Sequence, residues 1–180
     1  MRAKLKRLAE SDYRVNSLRE DDFDYTMRLL QQFVQAQATV YKLEDERVRA
    51  EEPELADDIL DDVAYYNWID TQYIWHFGLW RLQGILEGLI TGTFLHVKHP
   101  RPLIGLKAKL DAMRSAGYTI DQADYDELLE WAKLRNALSH APPEQYGPGP
   151  LEENDVYEYK ALVERLCQHW RTEETSSQIP

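Results

Sequence analysis

An arginine, an asparagine and a histidine lie close together in the sequence and have side chains suited to acid–base chemistry on a phosphodiester. Arg135 and Asn136 are adjacent, and His140 follows four residues after Asn136. Histidine titrates near neutral pH and so moves protons, whereas arginine stays charged and offers a fork of donors to phosphate oxygens. Because RNA carries its own nucleophile, the 2′-hydroxyl, this combination needs neither a metal nor a cofactor.

The three side chains lie at the predicted C-terminal end of a helix. Asn136 and His140 share a helix face, so Asn136 would fix the tautomer of the imidazole. Arg135 and His140 are about 140° apart around an ideal helix. Since Pro142 disfavours continuation of the helix, we expect the helix to end close to His140, where a distortion would bring both groups to one cleft.

A purely structural role for the same residues is the alternative. Arg135 would then pair with Glu130 or Asp126 on the surface, and His140 would cap its helix. The chain contains no Gly-rich dinucleotide fingerprint, no phosphate-binding GK[ST] loop, no HExxH and no GxSxG, so no other motif competes as an enzyme site.

Apolar residues recur at helical spacing through most of the chain and predict an all-α fold. We predict a basic N-terminal arm or short helix over 1–20, a single helical domain over 21–172 and a disordered tail over 173–180. The predicted helices are 21–49, 55–94, 103–115, one from Asp121 to the prolines at 142 and 143, and 154–171. No segment is typical of a strand.

The second predicted helix carries two aromatic stripes and then a run of glycines. The stripes predict a core or a homodimer seam rather than a surface for base stacking, because the spacing is helical and Arg81 is the one basic residue among them. The glycines repeat every four residues and predict close approach of another backbone, the alternative being a weak helix end. The stripes are Tyr66, Tyr73, Phe77 and Trp80, and Tyr65, Trp68 and Trp75; the glycines are Gly84, Gly88 and Gly92.

Charge and cysteine content restrict the class of protein. The net charge of −11 over 180 residues argues against a broad nucleic-acid-binding surface but not against a local positive cleft. The single cysteine, Cys167, cannot form an internal disulfide and fits a reducing compartment. We find no signal peptide and no apolar run of the ~20 residues that span a bilayer, so we expect a cytoplasmic protein without membrane contact.

Two other groups of polar residues could be considered as metal ligands, but their surroundings in the sequence argue against a metal site. The acidic segment 44–62 predicts a solvated helix–turn–helix tip. His96 and His99 precede prolines at positions 100 and 102 and have no third ligand nearby, so we expect surface histidines. No metal site is predicted.

The helix order and the Arg135–Asn136…His140 motif resemble the HEPN superfamily over residues 20–172. Members of that superfamily are helical bundles built on a long antiparallel helix pair, with the motif before the final helix. The resemblance implies a metal-independent endoribonuclease whose site is composed across a homodimer, with Arg135, Asn136 and His140 as catalytic residues. One toxin group has a tyrosine two residues after the motif histidine, which its antitoxin modifies; Pro142 stands there in this chain.

Three functions remain open from the sequence. The first is an endoribonuclease, as a toxin or defence effector with an antitoxin or regulatory protein as partner. The second is a non-catalytic HEPN-like module that binds RNA or protein, which the acidic composition favours. The third is an antitoxin-like or assembly protein that contacts a basic partner through the acidic tip.

Overall fold

The computed structural model describes residues 19–96, 103–140 and 150–177, and in these ranges the chain is helical with no strand, as the sequence predicted. Residues 1–18 of the arm predicted over 1–20, and His99, lie outside the described residues. A π-helical turn, Ile90–Phe94, extends the second helix. The helices are α1 (Asp21–Glu51), α2 (Ala56–Leu89), α3 (Gly105–Ser115), α4 (Gln122–His140) and α5 (Glu153–Ser177).

Helices α1 and α2 form a long antiparallel pair. Gln37 on α1 donates a hydrogen bond to Asp70 on α2 at 3.0 Å, and Leu30 lies against Gly78. Near the connecting turn, Val48, Ala56 and Leu60 form a small buried cluster of their own. Residues later in α1 contact residues earlier in α2, so the two helices run antiparallel.

The main core lies where the second half of α2 meets α1, α3, α4 and α5. Phe94, Tyr159 and Trp170 are buried in it, and Phe94 packs edge-on against Trp170 with ring centroids 5.4 Å apart. The apolar stripe predicted for α5 is buried at every position: Val156, Tyr159, Leu162, Val163, Leu166 and Trp170. Burial of this area, which stabilises by about 25 cal/mol per Å², fixes α4 and α5 against α2.

Helix α5 is longer than predicted and continues through Ser177, into the segment for which the sequence predicted a disordered tail. Tertiary hydrogen bonds explain the extension. Tyr118 donates its hydroxyl to Glu174 at 2.8 Å, and the Thr119 amide donates to Glu173 at 3.0 Å. These bonds hold the last turns against the loop before α4, where Asp121 caps the helix by accepting from the Asp124 amide at 2.7 Å.

The glycine prediction is wrong for two of its three positions within this chain. A Cβ added at Gly84 or at Gly92 would meet nothing within 4 Å, and both residues are exposed. The tight contact is instead at Gly78 and is made by side chains rather than by a backbone: a Cβ there would lie 2.6 Å from Leu30 Cδ1 and 3.4 Å from Val156 Cγ1. Gly78 was missed because it stands alone inside an apolar run, without a repeat that would mark it.

The acidic segment lies at the α1–α2 turn, as predicted. Arg47 holds Glu44 and Glu51 with contacts of 2.6 and 2.5 Å, and Asp57, Asp58, Asp61 and Asp62 are exposed. His96 is also exposed. Of the helices in the described ranges, none combines the length and apolarity needed to cross a membrane.

Candidate functional site: a cationic cleft around Arg135

Arg135 projects from α4 into an open cleft beside α2. The cleft has a volume of about 420 Å³. Its floor is the outer face of α2, and its walls come from α4 and from the segment that contains α3. The lining residues are Trp80, Arg81, Gly84, Glu87, Gly88, Thr91, Leu103, Lys109 and Arg135.

Glu87 holds the two inner cations of the cleft. Arg135 Nη2 donates to Glu87 Oε1 at 3.2 Å, and Lys109 Nζ forms a short ion pair with Glu87 Oε2. Gln83 Nε2 also donates to Glu87 Oε1, at 3.0 Å. The side chains of Lys109, Glu87 and Arg135 are only 13%, 16% and 23% exposed, so the contacts are shielded from water and stronger than a surface pair.

Several polar atoms beneath the cleft are buried and unpaired. Gln83 Oε1, Arg135 Nε and the Tyr159 hydroxyl have no hydrogen-bond partner among the described residues. Burial, with a further contribution from the charge of Glu87, raises the pKa of Tyr159 well above its usual range. Tyr159 therefore stays neutral. A buried polar group without a partner is costly, and two of these residues, Gln83 and Arg135, also bond Glu87.

The cleft is positively charged although the protein is strongly acidic. It is lined by Arg81, Lys109 and Arg135 against the single carboxylate of Glu87, whereas the whole chain carries −11. Arg81 is exposed and has no ion-pair partner in the described part of the chain. The arrangement can bind an anion, and its Arg and Lys donors match phosphate oxygens.

The structure describes the side chains of two of the three residues of the predicted motif. Arg135 is half-buried and faces the cleft, while Asn136 is exposed. The side chain of His140 lies outside the described part of the structure. Because α4 is helical through His140, the positions of Arg135 and His140 stay about 140° apart around its axis. The expected distortion therefore does not begin before His140.

The ion-pair partners that the structural alternative predicted for Arg135 are wrong. Glu130 is bonded by Lys133 at 2.5 Å, and Asp126 accepts from Gln122 at 2.9 Å. Arg135 instead reaches across the fold to Glu87. A bond between residues so far apart in sequence depends on helix packing, which periodicity does not reveal.

Sequence reasoning missed Glu87 and Lys109 as members of the site. Glu87 had a usable signal, because an acidic residue inside the apolar stretch from Leu79 to Leu95 needs a partner when the helix is buried. Lys109 had none, since α3 carries further basic residues at Lys107 and Arg114.

Other reactive groups are far less suited to chemistry. Burial raises the pKa of the Cys167 thiol to about 12, so it is not a nucleophile near neutral pH. Within the described ranges, no group of three His, Cys, Asp or Glu side chains is placed to hold a metal ion.

Fold and site together define an all-helical protein with a cationic cleft beside its longest helix. In comparisons with known proteins, no family model, no curated protein and no solved structure matches the chain. The HEPN resemblance therefore stays a prediction that rests on the motif and on the helix order.

Proposed function

We propose that this chain is a metal-independent endoribonuclease of the HEPN type, with Arg135 as its phosphate-binding group. The observation that carries the proposal is the positive cleft around Arg135 in a protein of net charge −11. A local excess of cations in an acidic protein has to be assembled from separate helices, here α2, α3 and α4. Such a cleft attracts a phosphodiester without making the whole surface bind nucleic acid.

The proposed reaction is transesterification within the RNA. The 2′-oxygen attacks the adjacent phosphorus and loses its proton to a base, and the 5′-oxygen of the next nucleotide leaves and takes up a proton. The products are a 2′,3′-cyclic phosphate and a 5′-hydroxyl. Arg135 stabilises charge on the phosphorane, His140 transfers protons, and Asn136 orients the imidazole.

Arg135 has donors to spare for this role. Its bond to Glu87 uses Nη2, and no other bond from its guanidinium is formed within the described residues. Glu87 in turn keeps Lys109 when Arg135 shifts towards a phosphate. The ion pair therefore positions Arg135 without consuming its binding capacity.

We propose that the active form is a homodimer. The aromatic stripe, defined as Tyr66, Tyr73, Phe77 and Trp80, is about half exposed at each residue. Aromatic side chains bury about 150–250 Å² each, so Tyr66, Tyr73 and Phe77 together expose roughly 300 Å², the size of the largest apolar patch on a typical protein, which is often functional. A second copy related by a two-fold axis would pack against the stripe as far as Phe77. The same patch would then be buried on both chains. Light scattering should then give twice the chain mass, and Tyr73→Glu should give the monomer.

Cleavage of single-stranded RNA in EDTA tests the enzyme directly. Wild type should cut RNA but not DNA and should leave cyclic phosphate ends. His140→Ala should lose about 10²–10⁴-fold in rate, Arg135→Ala about 10²–10³-fold, and Asn136→Ala less. Lys133→Ala, an exposed cation on the same helix, is the matched control and should retain the rate. Circular dichroism must first show that each variant is folded.

Mixing two inactive variants tests whether the site is composed across the dimer. Co-expression of Arg135→Ala with His140→Ala produces mixed dimers in which one cross-chain site has both groups intact. Activity should reappear in these dimers, because α4 itself holds the two residues on different sides of its axis. If the mixed dimers stay inactive while wild-type dimers cut RNA, the site lies within one chain.

A non-catalytic interaction module is the second candidate. The half-buried ion pair between Arg135 and Glu87 favours this candidate, since such a pair can join two helices without any catalytic role. If Arg135→Ala and His140→Ala match wild type in cells as well as in vitro, this candidate replaces the enzyme.

For the physiological setting we propose the cytoplasm and the role that the resemblance implies, a toxin or defence effector held by an antitoxin or regulatory protein. The third candidate function is an antitoxin-like or assembly protein that contacts a basic partner through the acidic segment 44–62.

A further inference from the structure

Trp80 lies at the mouth of the cleft, where the aromatic stripe ends. It is 52% exposed, and it lines the cleft together with its neighbour in sequence, Arg81. One residue thus offers a flat apolar surface and the next a cation. Exposed aromatic rings beside basic side chains are the elements from which single-stranded nucleic acids are bound.

The floor of the cleft beyond Trp80 carries no side chain at two positions of α2. Gly84 and Gly88 line the cleft, and a Cβ at Gly84 would meet nothing within 4 Å. A ligand can therefore approach the backbone of α2 closely at this point, which side chains elsewhere on the helix prevent.

The cations surround this floor on several sides. Arg81 belongs to α2, Lys109 to α3 and Arg135 to α4. A phosphate between them would give Arg81 an anionic partner, which it lacks among the described residues. The same phosphate could also accept hydrogen bonds from Lys109 and Arg135, which now donate to Glu87. A volume of about 420 Å³ lies within the range of small-ligand sites, roughly 300–1,000 Å³, and fits one nucleotide rather than a duplex.

We infer that the cleft is a subsite for one nucleotide of a single-stranded RNA, with the phosphate between Arg81, Lys109 and Arg135 and the base stacked on Trp80. The choice of RNA rests on the proposed function. The choice of single strand rests on the cleft, because a base within a duplex is stacked on its neighbours and cannot lie on Trp80. Trp80 and Arg81 are thereby assigned to substrate binding and not to catalysis.

Binding to an uncleavable strand separates this inference from catalysis. The probe is a fluorescently labelled single-stranded 2′-O-methyl RNA, whose blocked 2′-oxygen cannot attack, and the readout is fluorescence anisotropy. Trp80→Ala should weaken binding about 10-fold, the effect of one lost stacking contact. Arg81→Ala should lower the slope of log affinity against log salt by about one. The duplex of the same sequence should bind more weakly.

Matched variants outside the cleft serve as controls. Trp68→Ala removes a tryptophan of similar exposure, 47%, from another side of α2, and Lys107→Ala removes an exposed cation of α3 that pairs with Asp111. Both should bind like wild type. Gly84→Leu should fill the floor and abolish binding while the protein stays folded, since its side chain enters open space.

Each outcome decides the inference. If wild type binds the strand and the effects are confined to Trp80, Arg81 and Gly84, the subsite is supported even where no cleavage occurs, and only the catalytic proposal fails. If Trp80→Ala and Arg81→Ala bind like their controls, or if the duplex binds equally well, the subsite is overturned even where RNA is cut. Failure of wild type to bind the strand overturns it as well.

Discussion

The two halves of α2 have opposite environments. Over residues 56–74 the helix packs on α1 through the small cluster of Val48, Ala56 and Leu60, and Tyr65, Tyr66, Trp68 and Tyr73 are exposed. Over residues 75–89 most side chains are buried in the main core. The second half of the helix is packed in the core beside the cleft, and the first half exposes aromatic side chains.

Truncating one leucine in each half should give the largest difference. Leu86→Ala, fully buried in the main core, should destabilise the fold by about 2–5 kcal/mol, because the packed surroundings cannot fill the cavity. Leu60→Ala should cost less, because the small cluster at the tip can relax. Urea denaturation of both variants measures the contrast. Equal losses would mean that the tip is packed as tightly as the core.

Glycine substitutions sharpen the same contrast within the buried half. Gly78→Leu should destabilise by about 1–3 kcal/mol through overpacking, because its Cβ would lie 2.6 Å from Leu30. Gly84→Leu should leave the melting temperature unchanged or raised, since the cleft is open there and glycine weakens a helix. A lower melting temperature for Gly84→Leu than for Gly78→Leu would contradict the placement of the two glycines.

Acidification should have the smallest effect, through His76 in the middle of α2. Burial lowers the pKa of His76 below its ordinary value of 6.5, so the unfolded chain binds more protons around that pH. The contribution of His76 to stability is therefore present above about pH 6.5 and is lost as the pH falls towards the folded pKa. Between about pH 8 and about pH 5.5, the melting temperature of wild type should fall more than that of His76→Gln. An equal fall in both would exclude the histidine as the cause.

Helix periodicity predicted much of the fold because amphipathic stripes, caps and prolines act locally. The start of α4 after Asp121 and the buried face of α5 follow from such signals, whereas the antiparallel pair was expected only from the HEPN resemblance. The end of α5 does not, because Glu173 and Glu174 are held by a loop that is distant in sequence. For the same reason periodicity could not distinguish Gly78 from the repeating glycines.

The candidate site was predictable only in part. Arg135 was found from its motif, and it does line a cleft. Its partner Glu87 and the neighbouring Lys109 come from other helices, so their meeting depends on how α2, α3 and α4 pack. The exposure of the aromatic stripe was equally inaccessible, because helical spacing is the same whether a face meets the core or a partner.

A DNA strand that contains one ribonucleotide tests the central claim most directly, namely that Arg135 acts on a phosphodiester beside a 2′-hydroxyl. Incubated in EDTA, wild type should cut this strand once, directly 3′ to the ribose, and leave a cyclic phosphate that mass spectrometry identifies. Arg135→Ala should leave the strand intact, and Lys133→Ala should cut it like wild type. Cutting at other positions, or equal cutting by Arg135→Ala, would contradict the account.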